Sequence, residues 1–310
     1  MDNEQWKSAL KQVGRGQHAA GDLSGEEAYA LFSAMIQGRV TDLALGGLWM
    51  ALRIKGESQE ELRAFLAASE SAYVHLRAPV ESVPVIIPAY NGARLLPNLT
   101  LLLAHLIARE GVPVLLQGSL QEAGRVSSFE VFEALGGTAA KSHEEAERAL
   151  AEKRLSFIPL PTLAPALARL LALRQVMGVR SSIHTVVKML QPFTGPAVRL
   201  VSVTHPEYVK RMREFFVAEK APVLLLRGTE GEAVAHPRRA PQMEWLYQGQ
   251  VESWATVAEE SPLLPASREA KVTADWIGQA LDGLQPIPSA IAYQAQCCVR
   301  AARAVARSAR

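Results

Sequence analysis

The sequence predicts an α/β protein: a small all-α N-terminal domain, then a large domain with a mostly parallel central sheet flanked by helices. Two observations predict it. Residues 2–76 carry helical periodicity and nothing that reads as a strand, and from Pro79 short β-rich runs alternate with helical stretches. A chain of 310 residues has room for about two domains, and the change of pattern sets the expected boundaries at 1–78 and 79–310.

In the first domain, Asp22 or Ser24 would cap a helix carrying Ala28, Leu31, Phe32 and Met35 on one face. Thr41 or Asp42 would cap the next, with Leu45, Leu48 and Leu52 as its stripe. Ser58 followed by Glu61 reads as a capping box for a third helix. Four short helices cannot bury all these stripes alone, so another part of the chain or a second subunit is expected to cover some.

In the second domain the expected strands are 83–88, 112–118, 155–160, 198–203 and 223–228. The helical stretches between them are 98–110, 128–136, 143–152, 162–177 and 206–219, and a last helix starts near Ser289. Strands alternating with helices imply right-handed crossovers and a parallel sheet covered on both faces. Ligands in such sheets bind beyond the carboxyl ends of the strands. Residues 229–241 and 259–272 read as surface loops.

Composition excludes several classes. No apolar run reaches the roughly 20 residues a bilayer span requires, and the start of the chain does not read as a signal peptide. Cys297 and Cys298 are the only cysteines and are adjacent, which suggests neither a disulfide framework nor a metal site; a reducing cytoplasm is expected. No GxSxG, HExxH, spaced CxxC or Walker loop occurs. The net charge of +2 is nearly neutral, yet the last eleven residues hold four arginines and no acid, and a local cluster can bind phosphate on a balanced chain.

The strand-end loops carry the candidate chemistry. The first, from Pro88, contains Tyr90, Asn91, Gly92 and Arg94, with Asn98 at the following helix; a diphosphate cradle usually needs more than one glycine. The second, from Gly118, contains Glu122 and Arg125 and leads to Ser127 and Ser128, where N-capping competes with anion binding. Arg174, Arg180, His184 and Lys188 gather within fifteen residues as a possible anion site. Glu230 and Glu232 follow a strand end and are candidates for Mg²⁺, although paired glutamates are usually just solvated.

Together these segments resemble the superfamily of anthranilate phosphoribosyltransferase and the nucleoside phosphorylases. GRGQHAAGDLSGEEAYALFSAMIQGRVTDLALGGLWMALRIKGES resembles its helical domain, and RVSSFEVFEALGG the helix after the second phosphate loop. HTVVKMLQPFTGPA lines up with the NLLGPLTNPA segment, followed in order by VTHPEYVKRMREFF and LLRGTEGE. The resemblance implies the glycosyltransferase family three fold, transfer from phosphoribosyl pyrophosphate (PRPP) with Mg²⁺, and a phosphorylated small molecule in the cleft. The family's GTGGD loop, however, is here Pro88-Ala89-Tyr90-Asn91-Gly92, and Lys188 replaces the asparagine. IIPAYNGARLLPNLTLLLA and MGVRSSIHTVVKML resemble more closely a bacterial paralogous branch of the transferase. That resemblance implies a homodimer through the helical domains and nucleic-acid binding along basic surface in place of catalysis.

The candidate nucleic-acid contacts are Arg174, Arg180, Lys188, Lys210, Arg211, Arg213, Arg238, Arg239, Arg300, Arg303 and Arg307. Lys210 and Arg213 are expected to face water opposite a buried stripe of Val209, Met212 and Phe216. Tyr90 is the candidate stacking partner. The expected function is largely sequence-independent nucleic-acid binding. The alternatives are a phosphoribosyl transfer to an aromatic amine or base, and an interaction module using the helical domain.

Overall fold

The computed structural model describes residues 3–16, 19–204, 206–239, 242–255 and 263–308. Arg310 and residues 240–241 and 259–262, included in readings above, lie outside the described residues. The chain forms two compact units. One comprises residues 1–74 and 163–192, the other residues 75–162 and 193–310. The segment 163–192, assigned from sequence to the α/β domain, therefore belongs with the helical unit. It supplies the extra apolar faces that four short helices lack.

The helical unit begins with α1 (Asn3–Val13), α2 (Gly25–Ile36), α3 (Asp42–Lys55) and α4 (Gln59–Glu70). Ser24 with Glu27 and Ser58 with Glu61 both form complete capping boxes, whereas Thr41 caps α3 without a side-chain bond. Phe32 stacks on Phe65 and meets the Trp49 edge, which fixes the bundle's centre.

The remaining helices of the chain are easier to place once the strands are given: β1 (Val85–Ala89), β2 (Val114–Gly118), β3 (Leu155–Pro159), β4 (Val198–Val203), β5 (Val223–Arg227), β6 (Gln242–Tyr247) and β7 (Gln250–Ala255). The helices are α5 (Thr100–Arg109), α6 (Ser128–Ala134), α7 (His143–Lys153), α8 (Leu160–Leu163), α9 (Pro165–Ala172), α10 (Arg174–Met177), α11 (Ile183–Val186), α12 (Pro206–Ala218), α13 (Ala270–Leu281) and α14 (Ser289–Ser308). The expected helix over 162–177 is broken into pieces. Pro165 starts α9 and pushes Ala164 to an extended φ of −149°, because the residue before proline avoids the helical region. In the helical unit Leu167, Leu170, Ile183 and Val186 are buried, and Arg169 donates to the Met35 and Ile36 carbonyls that end α2.

The seven strands run in the order β3-β2-β1-β4-β5-β6-β7. The first five are parallel, as the sequence pattern predicts; β6 and β7 extend the edge antiparallel. That hairpin is absent from the sequence reading. Its two-residue turn, Gln248-Gly249, has both residues at positive φ, the geometry that matches strand twist. Alternate strand residues such as Val85, Ile87, Val114, Leu116, Phe157, Leu200 and Leu224 enter one core with Ile107, Ile277 and Cys298, as a pleat of period two requires. Cys297 and Cys298 are free and buried in α14, and burial pushes the Cys297 thiol up to about 11. Neither is poised as a thiolate.

Candidate functional site

The carboxyl ends of β1, β2 and β5 bring three loops together. Pro88, expected to open the first loop, is still inside the sheet opposite Gln117. Pairing of β1 with β4 stops at Ile86, so no ladder donor is lost at the proline. The loop proper runs from Tyr90. Tyr90 is buried and its hydroxyl reaches Gln117 Oε1 at 3.4 Å; burial raises its pKa. A ring so enclosed offers no face to a base, which corrects its reading as a stacking partner.

The loop after β5 turns back at once. Thr229 and Glu232 exchange two backbone bonds, 3.1 and 2.9 Å, around Glu230 at φ 54° and Gly231 at φ 95°. Left-handed backbone at a glutamate costs about 1–2 kcal/mol. A Cβ on Gly228 would lie 2.0 Å from the Glu232 carbonyl oxygen, so only glycine permits this reversal. The turn presents both carboxylates to the first loop.

Glu232 is 1% exposed. Its Oε1 accepts the N–H groups of Asn91 (2.9 Å) and Gly92 (2.7 Å), and its Oε2 accepts the Ser128 hydroxyl (2.7 Å). Gly92, at φ 65° with the Val126 carbonyl 2.9 Å from where a Cβ would stand, is the glycine this approach needs. Asn91 Nδ2 donates to the Gly231 carbonyl, and Ser202 donates to the same oxygen at 3.3 Å. Asn98 Nδ2 donates to Ser128 Oγ and to the Val126 carbonyl, both at 3.1 Å.

Glu230 does the same one step along the chain. Its Oε2 accepts from Arg94 (2.7 Å), Leu95 (3.0 Å) and Leu96 (3.2 Å), and its Oε1 accepts again from Leu95 at 2.9 Å. Three successive N–H groups aimed at one carboxylate make an anion-binding nest. Arg125 closes the back of the site by donating to the Gly92 and Glu230 carbonyls, 3.1 and 3.3 Å. Arg268 donates to the Arg94 and Gly124 carbonyls; it lies in a segment read as a surface loop, where nothing local marks it.

These contacts do not fit the Mg²⁺ reading of Glu230 and Glu232. Each carboxylate faces the positive ends of peptide dipoles, where a dication would be repelled, and each of its oxygens accepts at least one N–H or O–H donor. Among the described residues no cluster of three metal-ligating side chains occurs. Ser127 takes the capping role, in a capping box with Glu130, and its hydroxyl donates to the Leu120 carbonyl at 2.8 Å. Gly118 lets β1 and β2 close together, since a Cβ there would overlap the Ala89 carbonyl.

The second predicted cluster lies in the helical unit. Burial, followed by the charges of Arg180, Arg174 and Lys188, holds the His184 imidazole down at about 4, against a weaker upward pull from the Ser181 backbone. Arg174, Arg180 and Lys188 are therefore each close enough for their charge to act on His184. α11 is too short to carry His184 and Lys188 on a continuous helix face. His184 Nε2 and the buried Ser182 hydroxyl make no hydrogen bond among the described residues.

The other basic residues divide. Arg238, Arg239 and Arg307 are exposed. Arg213, expected to face water, is half-buried and holds Glu244 through two bonds, while Met212 and Phe216 are buried as predicted and Val209 only partly. Arg211 is half-buried. Lys210 lies 3.9 Å from Glu214 and Arg303 3.3 Å from Glu110. Arg300 pairs with Glu252 at 2.8 Å and covers the Trp254 ring.

The chain thus combines a helical unit with an α/β unit whose strand-end loops are lined by N–H groups. The chain matches the glycosyl transferase family's helical bundle domain over residues 7–70 and its a/b domain over residues 92–286. It belongs to that family. It is 39% identical over 301 residues to YbiB of Escherichia coli (strain K12), covering 95% of this chain and 93% of YbiB. It is 29% identical over 191 residues to the anthranilate phosphoribosyltransferase of Desulfitobacterium hafniense (strain Y51), covering 62% of this chain and 56% of that one. In fold it is similar to anthranilate phosphoribosyltransferase from Thermus thermophilus, with a TM-score of 0.78 at 23% identity over 98% of this chain and 89% of that one. The Saccharomyces cerevisiae enzyme in complex with PRPP and Mg gives 0.74 at 12% identity, over 99% and 94%. No described helix is long and apolar enough to cross a membrane.

Proposed function

We propose that this chain is a cytoplasmic, homodimeric nucleic-acid-binding protein on a transferase fold that no longer carries out transfer. The observation that carries the reading is the divided use of charge. Backbone donors that could hold a phosphoribosyl donor are engaged by Glu230 and Glu232, while the charges of Arg180, Arg174 and Lys188 add to burial in lowering the His184 pKa. Three charge-assisted bonds to a buried carboxylate, at about 1.5–3 kcal/mol each, would have to be replaced by a competing diphosphate. Each 1.4 kcal/mol lost is about tenfold in affinity.

The positive side chains of the helical unit, by contrast, can follow a phosphate backbone, and in the α/β unit Arg238, Arg239 and Arg307 are exposed. Surface ion pairs such as Lys210–Glu214 contribute little and yield readily to phosphate. With Tyr90 buried, binding is expected to be backbone-dominated and tolerant of sequence. A homodimer is supported by α3, which exposes Leu43, Met50 and Ile54 at helical spacing. Fluorescence anisotropy of labelled single-stranded DNA against salt tests the reading. Affinity should fall with log salt at a slope of roughly −0.7 per phosphate contact; a flat response, or no binding at micromolar protein, contradicts it.

A second reading is phosphoribosyl transfer to an aromatic amine, favoured by the match to anthranilate phosphoribosyltransferases. It requires both glutamates to leave the loop. Turnover of anthranilate with PRPP and Mg²⁺, followed by anthranilate fluorescence, would establish it.

A further inference from the structure

We infer that β7 is an interface between copies of this chain: two β7 strands pair antiparallel about a two-fold axis at Ser253 and join two sheets into one. This surface belongs to the α/β unit and is separate from the exposed α3 face, so it stands whether or not the nucleic-acid reading holds.

β7 ends the sheet, with β6 on one side and no described strand on the other. Five of its six residues are exposed, Val251 at 45%. The register with β6 and the two-residue turn fix which backbone groups point outward. Tyr247 and Gln250 close the hairpin as a hydrogen-bonded pair, and the pairs alternate from there. Glu252 and Trp254 then turn their N–H and C=O groups toward β6, while Val251, Ser253 and Ala255 turn theirs away. The Tyr293 hydroxyl donates to the Ala255 carbonyl at 3.0 Å, as an outward carbonyl allows.

Proteins blunt such an edge with lysine, proline, a bulge or a covering segment. β7 has neither lysine nor proline, and its pairing with β6 is unbroken. Its one charge, Glu252, pairs with Arg300 at 2.8 Å, and both side chains stay more than half exposed. Charge complementarity then selects a second copy as the occupant. About an axis at Ser253, Glu252 falls opposite Trp254 of the second copy, on the same face of the joined sheet. Arg300 lies over the Trp254 ring, 4.2 Å from its centroid. Each Glu252 therefore meets the Arg300 of the other copy as well as its own, twice by symmetry. Ser253 faces Ser253 and Val251 faces Ala255, so no like charges are opposed.

Sedimentation equilibrium of the full chain and its variants tests the inference. S253P keeps the ladder to β6, because the Ser253 N–H points outward, and removes a donor from the new pairing. It should halve the sedimenting mass at micromolar protein with circular dichroism unchanged. E252K and R300E, each alone, should weaken self-association by about tenfold or more, since like charges then oppose across the axis. Mixed in equal amounts, the two variants should associate as tightly as the wild type, because each supplies the charge the other lacks. Mixing cannot repair a pair that acts only within one chain. If S253P does not fold, the mixture carries the test. Folded S253P at the wild-type mass overturns the inference, and so does a mixture no tighter than its components.

Discussion

The strand-end loops of the α/β unit and the α10–α11 segment of the helical unit both looked like anion sites, and they use charge in opposite ways. In the loops, N–H donors and carboxylates from the same chain satisfy one another: Asn91, Gly92 and Ser128 with Glu232, and Arg94 to Leu96 with Glu230. Around α11, burial first and then the charges of Arg180, Arg174 and Lys188 depress the His184 imidazole. In the first arrangement donors and carboxylates satisfy one another; in the second, cations act on a half-buried imidazole.

The largest effect expected from this contrast is on nucleic acid. Reversing Arg174, Arg180 and Lys188 together to glutamate should weaken single-stranded DNA binding by about a hundredfold or more at moderate salt, and flatten its salt slope, with circular dichroism unchanged. An unchanged affinity would move the interface elsewhere on the chain. The corresponding loss in the loops is one of stability. E232A should lower unfolding free energy by about 2–4 kcal/mol in urea titration, since it leaves buried N–H groups without an acceptor; E232Q should cost less.

A pH titration sharpens the same comparison. The folded value of about 4 for His184 lies below the ordinary value near 6.5. The unfolded chain then binds the proton first, so this contribution to stability is complete above about pH 6.5 and is lost as pH falls toward 4. By NMR, His184 should stay neutral at pH 6, and added oligonucleotide should raise its pKa, because phosphate offsets the neighbouring cations. A pKa unmoved by ligand would remove the cluster from the interface. The smallest effect belongs to the surface pairs: R300A and R303A should each change DNA affinity less than about threefold.

Much of the fold was legible because it rests on local pattern. The five parallel strands are short β-rich runs between helices, and Ser24, Ser58 and Ser127 announce their helices through capping boxes. The β6–β7 hairpin was legible in principle through Gln248-Gly249, but glutamine is a weak mark of positive φ. The membership of 163–192 in the helical unit depends on tertiary packing, which periodicity does not encode. The site was half legible. The single glycine of the first loop was visible in the sequence, and the basic cluster was visible as spacing. The role of Glu230 and Glu232 was not, because their partners are 104–141 residues away and two acids near a strand end look alike whether they face a cation or an N–H nest. Arg268 was hidden for the same reason.

Calorimetric titration of the wild-type protein with PRPP in the presence of Mg²⁺ tests the central claim most directly. With both glutamates seated on the loop, no saturable heat is expected up to millimolar ligand. A clear micromolar dissociation constant would contradict the account, because it would mean that the carboxylates leave and the ancestral site still works.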